Sequence, residues 1–305
     1  MDFKQLADEA MKELGHSNMR PVIEKELLHY EILQALSSAG LLNELTFQGG
    51  TCLRLCYGSN RYSEDLDFVG GRGFVSTDMK NIQNCIHQWI TKKYNLPITV
   101  EEPKNLRKAP DFDKVHVDVW QIKIETAPER RDLKRQMIKI EIANIEALTK
   151  EYMPLLTNYT ALPEQSFELY PVQSLQEILC DKLIALVNST KYIRYRDLWD
   201  IAWLANTKNV TYDQKLARLI THKITDYHIE NYGLLVENFL EHLHEHVMGK
   251  EFRDQMTRFL PIQLLEGSFE KRGFLQYLER IVGEQLDAAR KSIKDAPKSS
   301  SPFTM

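Results

Sequence analysis

The sequence predicts an α+β fold: a small mixed sheet flanked by helices over residues 1–165, a helical domain over 166–290, and a tail, 291–305, without regular structure. Three observations predict it. Short apolar stretches that alternate with polar residues or end in glycine clusters are confined to the first half of the chain. From about Pro171 onward apolar residues recur at helical spacing. The last stretch, Lys291–Met305, is rich in Ser, Lys and Pro.

The elements follow in order. Residues 2–14 and 20–39 read as helices. In the second, Val22, Ile23, Leu27, Tyr30, Ile32, Leu33 and Leu36 recur at helical spacing, Pro21 suits a first turn and Gly40 a stop. Leu45–Gln48 reads as a short strand entering the turn Gly49–Gly50, with Thr51–Tyr57 a short helix after it. Leu66–Val69 reads as a strand closed by Gly70, Gly71 and Gly73, and residues 77–93 as a helix. Val115, Val117 and Val119 alternate with His116, Asp118 and Trp120, which predicts a strand whose apolar face is the valine face. Ile138, Ile140 and Ile142 alternate with Lys139 and Glu141 in the same way, and the charged run Glu129–Arg135 belongs to the connection between the two. Helices are expected from Ser174 to Val187, from Arg196 to Ala205, and repeatedly between Tyr212 and Arg290.

Composition bounds the function. With 305 residues, 43% hydrophobic and 27% charged, the chain is long and apolar enough for a packed core. A net charge of −4 argues against a uniformly basic nucleic-acid binder while leaving room for a local basic patch. Cys52, Cys56, Cys85 and Cys180 form no CxxC pair, so reduced, mostly buried cysteines in a cytoplasmic protein are expected rather than a zinc site. The N-terminal stretch does not have the pattern of a secretory signal, and no apolar run reaches membrane-spanning length. A GxSxG turn and a Walker A loop are both absent. His242 and His246 share a helix face, but two imidazoles without a further ligand read as part of an amphipathic surface helix.

The chemistry concentrates in FQGGTCLRLCYGSNRYSEDLDF, Phe47–Phe68. Asp65 and Asp67 are alternate residues at a strand, so their carboxylates project the same way, and two adjacent anions call for a cation between them. A hard cation such as Mg²⁺, held by carboxylates and substrate phosphates, suits that pair. Gly49 and Gly50 permit close approach of backbone N–H groups to phosphate, with Thr51, Arg61 and Ser63 nearby in sequence. Glu141 is a candidate third carboxylate, with Asp118 its rival; the ordinary alternative for Glu141 is an exposed ion pair with Lys139. Lys182 falls on the apolar stripe Leu175, Ile178, Leu179, Leu186, where a lysine needs either a path to solvent or a partner such as a triphosphate. Asp197 and Asp200 share a helix face beside Lys191, Arg194 and Arg196, and Asp197 suits a helix start equally well. Tyr192, Tyr195 and Trp199 are interleaved with these cations, which fits either nucleic-acid stacking or helix packing.

In order, GGTCLR, RYSEDLDF, IKIEI, LQEILCDKLIALVN and YRDLWDI resemble the AbiEii/AbiGii toxin family over roughly Phe47 to Ala205. These are nucleotidyltransferase toxins of bacterial toxin–antitoxin and phage-abortive systems, with the DNA-polymerase-β-type nucleotidyltransferase fold. The resemblance implies that Gly49, Gly50 and Ser63, in a nucleotide-binding set with Thr51 and Arg61, contact the triphosphate. It implies that Asp65 and Asp67 bind Mg²⁺, with Glu141 as the apolar-flanked strand acid. Lys182 then holds phosphate and Asp197 is the essential acid of the last motif, so the helical domain contributes both to the site. The gap from Gly50 to Asp65 is longer than the superfamily's usual one, which points to a loop enlarged at Asn60–Ser63.

The expected activity is transfer of a nucleoside monophosphate from an NTP to an acceptor hydroxyl, with tRNA 3′ ends the favoured acceptor and a cognate antitoxin as partner. Two alternatives stand beside it: a nucleotide-binding regulatory module without turnover, and a nucleotidyltransferase acting on a protein or a small molecule. The stretch Lys191–Trp199 favours a polyanionic acceptor over a cationic drug.

Overall fold

A computed structural model of the chain describes residues 1–14, 19–129, 135–162, 168–189, 191–210 and 212–294. Most of the connection Glu129–Arg135, the expected boundary at 165/166 and residues 295–305 lie outside the described residues. The chain forms two compact units, Met1–Ser174 with Thr257–Gly267, and Leu175–Met256 with Ser268–Met305.

The first unit holds α1 (Phe3–Leu14), α2 (Arg20–Ser38), β1 (Thr46–Gln48), α3 (Gly49–Leu55), β2 (Leu66–Val69), α4 (Ile82–Tyr94), β3 (Ile98–Glu101), β4 (Val117–Ile124), β5 (Gln136–Ala143), β6 (Glu151–Met153) and β7 (Tyr170–Val172). The strands form one seven-stranded mixed sheet in the order β3-β4-β5-β2-β1-β7-β6. Pairings β2–β5 and β1–β7 are parallel and the rest antiparallel. The sheet is therefore larger than the strand signals suggested. The strands β3, β6 and β7 are only three or four residues long and carry little periodicity to read.

Alternation in β5 follows the expectation. Ile138, Ile140 and Ile142 are fully buried on one face, with Phe47, Leu66 and Phe68 in the same core. In β4 the period is as expected and the phase is inverted. Asp118, Trp120, Ile122 and Ile124 are the buried residues, while Val117 is exposed. Burying the Trp120 indole outweighs burying a valine, and the acid that shares its face is neutralised by Arg107, whose Nη2 lies 2.6 Å from the Asp118 carboxylate.

Helix α2 begins with a proline in its first turn and ends before Gly40, which has φ 70°. Most of it is buried, including Glu24, Glu26 and Glu31, each of which has a cationic partner. Glu26 binds the Arg54 guanidinium at 2.9 Å, tying α3 to α2. Arg54 also donates to the Ser59 carbonyl at 3.0 Å, which shapes the loop after α3.

The second unit is helical: α5 (Leu175–Asn188), α6 (Tyr195–Thr207), α7 (Gln214–Asp226), α8 (Tyr232–Met248), α9 (Lys250–Met256) and α11 (Phe274–Lys294). Helix α10 (Ile262–Ser268) belongs, apart from its last residue, to the first unit. Helix α11 runs to Lys294, so Lys291–Lys294 is helical rather than part of an unstructured tail. Among the described residues, no helix is long and apolar enough to cross a membrane.

Candidate active site

In the first unit, β1 delivers the chain into the Gly49–Gly50 turn, which opens α3 directly. Gly49 has φ 77°, and a Cβ there would lie 3.0 Å from the Asp67 carboxyl carbon and closer still to Oδ2. A Cβ on Gly50 would lie 2.5 Å from Arg61 Nη2 and 2.9 Å from Ser63 Oγ. The two glycines thus make room for the same side chains that the sequence marked as candidates. Arg61 and Ser63 are both buried there, and Arg61 Nη1 donates to the Tyr62 carbonyl at 2.8 Å. Thr51 is buried and its hydroxyl donates to the Asp65 carbonyl, so its role in the structure is to hold the acidic loop.

Asp65 immediately precedes β2, and its Oδ1 accepts the Lys139 backbone N–H at 3.1 Å. Asp67 lies within β2, directly opposite Gln48 of β1 and Glu141 of β5. Residues paired across a ladder share a sheet face, so Asp67 and Glu141 project together. Asp118 pairs with Ile142 and therefore belongs to the opposite face, with Arg107 as its partner. Register thus puts Glu141, and not Asp118, on the sheet face of Asp67. Glu141 also lies 3.6 Å from Lys139 Nζ.

The loop before Asp65 is gripped by residues with no motif in the sequence. His29 of α2 is buried and its Nε2 lies 3.0 Å from the Glu64 carbonyl. The Glu64 carboxylate lies 3.2 Å from Lys25 and 3.8 Å from Arg258, and the Tyr62 N–H donates to the Phe259 carbonyl at 2.8 Å. Burial pushes the His29 imidazole down to about 4, so it is neutral near pH 7. Nothing in the sequence marks His29, because its helix is mostly buried and its polar residues do not mark out a single face. Arg258 and Phe259 are distant in sequence from the loop that they touch.

In the second unit, Lys182, Asp197 and Asp200 come together. Lys182 Nζ is 2.6 Å from Asp197 Oδ1 and 2.7 Å from Asp200 Oδ2, and all three side chains are buried. Arg194 Nε approaches Asp197 Oδ2 at 2.5 Å. Burial alone raises a carboxyl pKa, but the Lys182 ammonium and the Arg194 guanidinium outweigh it and hold Asp197 well below the usual carboxylate range. An ammonium has three protons, and these two acids engage two of them.

A second lysine of the same kind is present. Lys223 is fully buried, with Glu177 at 2.6 Å, Asp181 at 3.1 Å, and the Tyr227 hydroxyl donating to Asp181 at 3.0 Å. It falls at helical spacing with buried Leu216, Leu219 and Ile220, the signal that singled out Lys182, and could have been found the same way. His242 and His246 stack on α8 with ring centroids 6.4 Å apart. Among the described residues, no group of three His, Cys, Asp or Glu side chains is arranged to hold a metal ion. Cys52, Cys56 and Cys180 are buried free thiols.

Residues 31–280 match the family model described as the nucleotidyl transferase AbiEii toxin of Type IV toxin–antitoxin systems. The chain belongs to this family. An AbiEii chain is a nucleotidyltransferase, which uses an NTP and is the toxin of a pair with an antitoxin. Among solved structures, the fold is similar to MenT4, a nucleotidyltransferase toxin of Mycobacterium tuberculosis H37Rv, with 18% identity and a TM-score of 0.57 over 95% of this chain and 89% of that one. JHP933 from Helicobacter pylori is 19% identical, with a TM-score of 0.48 over 90% of this chain and 94% of that one. No curated protein matches the sequence. The AbiEii match spans the glycine turn, the acidic strand, Glu141, Lys182 and Asp197 together.

Proposed function

We propose that this AbiEii chain transfers a nucleoside monophosphate from a Mg²⁺-bound NTP to the hydroxyl of an RNA acceptor, releasing pyrophosphate, with the 3′ end of tRNA the favoured case. The observation that carries the reading is the close fit of Gly49 against Asp67 and of Gly50 against Arg61 and Ser63. A turn so tight leaves backbone and small polar groups, rather than side-chain bulk, beside the carboxylates.

The residues fit a Mg²⁺ ion. Mg²⁺ is commonly held by one or two carboxylates together with substrate phosphates, so Asp65 and Asp67 suffice without a complete protein cage. When bound, the ion neutralises phosphate charge and orients the attacking and leaving oxygens for in-line displacement.

The remaining steps belong to the chain. The Gly49–Gly50 backbone, Ser63 and Arg61 bind and orient the triphosphate. Glu141 accepts a proton from the acceptor hydroxyl or serves as a further carboxylate ligand. Lys182 offers its third ammonium proton to a phosphate oxygen, while Asp197 and Asp200 fix that ammonium in place. Arg194 fixes Asp197 in turn.

The test incubates the protein with Mg²⁺, each labelled NTP and total tRNA, beside Asp65→Ala and Lys182→Ala variants. Label appears in tRNA with the wild-type chain and disappears with both variants. Tight NTP binding without transfer to RNA, protein or small acceptors would overturn the reading in favour of a binding module. Growth arrest on expression, relieved by Asp65→Ala and by a cognate antitoxin, tests the toxin role separately.

A further inference from the structure

Helix α5 of the second unit makes buried ion contacts in two directions. Glu177 and Asp181 are four residues apart and lie almost in line along it, while Lys182 points about 100° away from Asp181. Lys182 reaches α6, where Asp197 and Asp200 hold its ammonium at 2.6 and 2.7 Å. The acid pair reaches α7, where Lys223 Nζ lies 2.6 Å from Glu177 and 3.1 Å from Asp181. Tyr227, the residue that ends α7, donates its hydroxyl to the same Asp181 carboxylate at 3.0 Å.

The Lys223 and Glu177 side chains have no exposed surface, so this second cluster is not itself a ligand site. It is also a poor stabiliser, since apolar residues of similar volume often replace a buried ion cluster without loss. What it supplies is geometry. Charge-assisted hydrogen bonds are short and directional, and one ammonium on α7 grips two successive turns of α5. Helix α5 therefore neither turns nor slides along its axis without breaking one of the two contacts. Side-chain atoms lie about 5–6 Å from a helix axis, so a turn of about 10° moves them by about 1 Å. A misplacement of about 1 Å is enough to cost about 10²-fold in rate. Asp197 and Asp200 fix the Lys182 ammonium to α6, whereas Lys223 fixes the helix that carries it.

We propose that Lys223 is a positioning residue for Lys182: through Glu177 and Asp181 it locks the rotation of α5, so that the Lys182 ammonium meets the NTP phosphate. The proposal rests on the reading of Lys182 as a phosphate-binding residue. Lys223 acts through Lys182 alone and touches neither nucleotide nor acceptor.

The test measures the Kd for labelled NTP with Mg²⁺, beside thermal unfolding, for full-length chains. The triple variant Lys223→Met/Glu177→Gln/Asp181→Asn removes every charge of the cluster together, so no unpaired ion is left to unfold the helix pair. It is expected to melt within about 4 °C of the wild type. Its Kd is expected to rise about tenfold, the loss of one charge-assisted hydrogen bond to phosphate. Asp181→Asn alone, which frees one of the two turns, is expected to raise Kd about threefold and decides the matter if the triple variant does not fold. In a Lys182→Met/Asp200→Asn background the same substitutions are expected to change Kd by less than about twofold, because no ammonium remains to be positioned. A wild-type Kd in the folded triple variant overturns the proposal. An equal loss in both backgrounds overturns it too, since the effect then does not pass through Lys182. If Lys182→Met/Asp200→Asn itself binds NTP as the wild type does, the phosphate-binding reading of Lys182 falls first and the positioning role falls with it.

Discussion

Asp67 and Glu141 are direct partners across the parallel pairing of β2 and β5, so two carboxylates far apart in sequence share one face of the sheet. Lys139, on the same strand as Glu141, lies 3.6 Å from the latter's carboxylate. The pair could be an exposed ion contact or part of the chemistry, and two substitutions separate these. Glu141→Gln is expected to lower transfer by about 10²-fold if the carboxylate handles a proton. Lys139→Met, which removes the ion pair and keeps the acid, is expected to change it by less than about threefold. Equal losses in both variants, measured as kcat with labelled NTP, would assign Glu141 to the ion pair alone.

Gly49 is under two constraints at once. Its φ of 77° strains any L side chain, and a Cβ would press on the Asp67 carboxylate. Gly49→Ala should destabilise the fold by only about 1–2 kcal/mol from backbone strain. Transfer should fall far more, by about 10²-fold, because the carboxylate must shift by more than its productive geometry allows. Thermal unfolding and kcat measured together check this. A variant with wild-type kcat would show that the close approach has no catalytic meaning.

The cluster of Lys182, Asp197 and Asp200 is a buried ion network. Lys182→Met leaves two buried carboxylates without their ammonium and is expected to cost about 3–5 kcal/mol of stability. Adding Asp200→Asn to that variant should recover part of the loss, since one of the two carboxylates that lost the ammonium is then neutral. Because Asp197 is held below the usual carboxylate range, its contribution to stability is present above the ordinary Asp pKa of about 3.9. It is lost as pH falls further, through the folded-state value. Denaturant melts of the wild type, the single variant and the double variant test the prediction. No recovery in the double variant would count against charge as the cause.

His29 predicts a second pH dependence in a higher window. Its folded-state pKa is pushed down to about 4, against an ordinary value of about 6.5. Between these values the unfolded chain binds a proton that the folded chain refuses, so stability falls as pH drops from about 6.5 toward 4. The loss is on the order of 3 kcal/mol. His29→Gln keeps an N–H for the Glu64 carbonyl and has no titration, so its stability should vary less with pH over this range. Denaturant unfolding at closely spaced pH values measures the slope, and identical slopes in the two proteins would remove His29 as its source.

Much of the first unit was legible because its signals are local. A glycine pair, an acid–apolar–acid strand and an isoleucine alternation each report on a few neighbouring residues, and β2, β5 and the glycine turn that opens α3 follow from them. The phase of β4 was not legible. Which face of an alternating strand is buried depends on what lies opposite, and Arg107, which neutralises Asp118, comes from a separate loop. Three short strands were missed for the same reason, since pairing rather than pattern stabilises them.

By itself the sequence determined the fold class, the order of the motifs and the residue types that nucleotidyl transfer needs, because periodicity, turn chemistry and motif spacing are properties of short segments. Only the tertiary structure decided which of those residues meet. Strand register placed Glu141 beside Asp67 and turned Asp118 away. Helix packing put Lys182 between Asp197 and Asp200, and buried Tyr195 and Trp199 more than Tyr192. The physical reason is that partners for a buried charge, and the face a strand buries, are set by long-range burial and desolvation, which a local pattern does not contain.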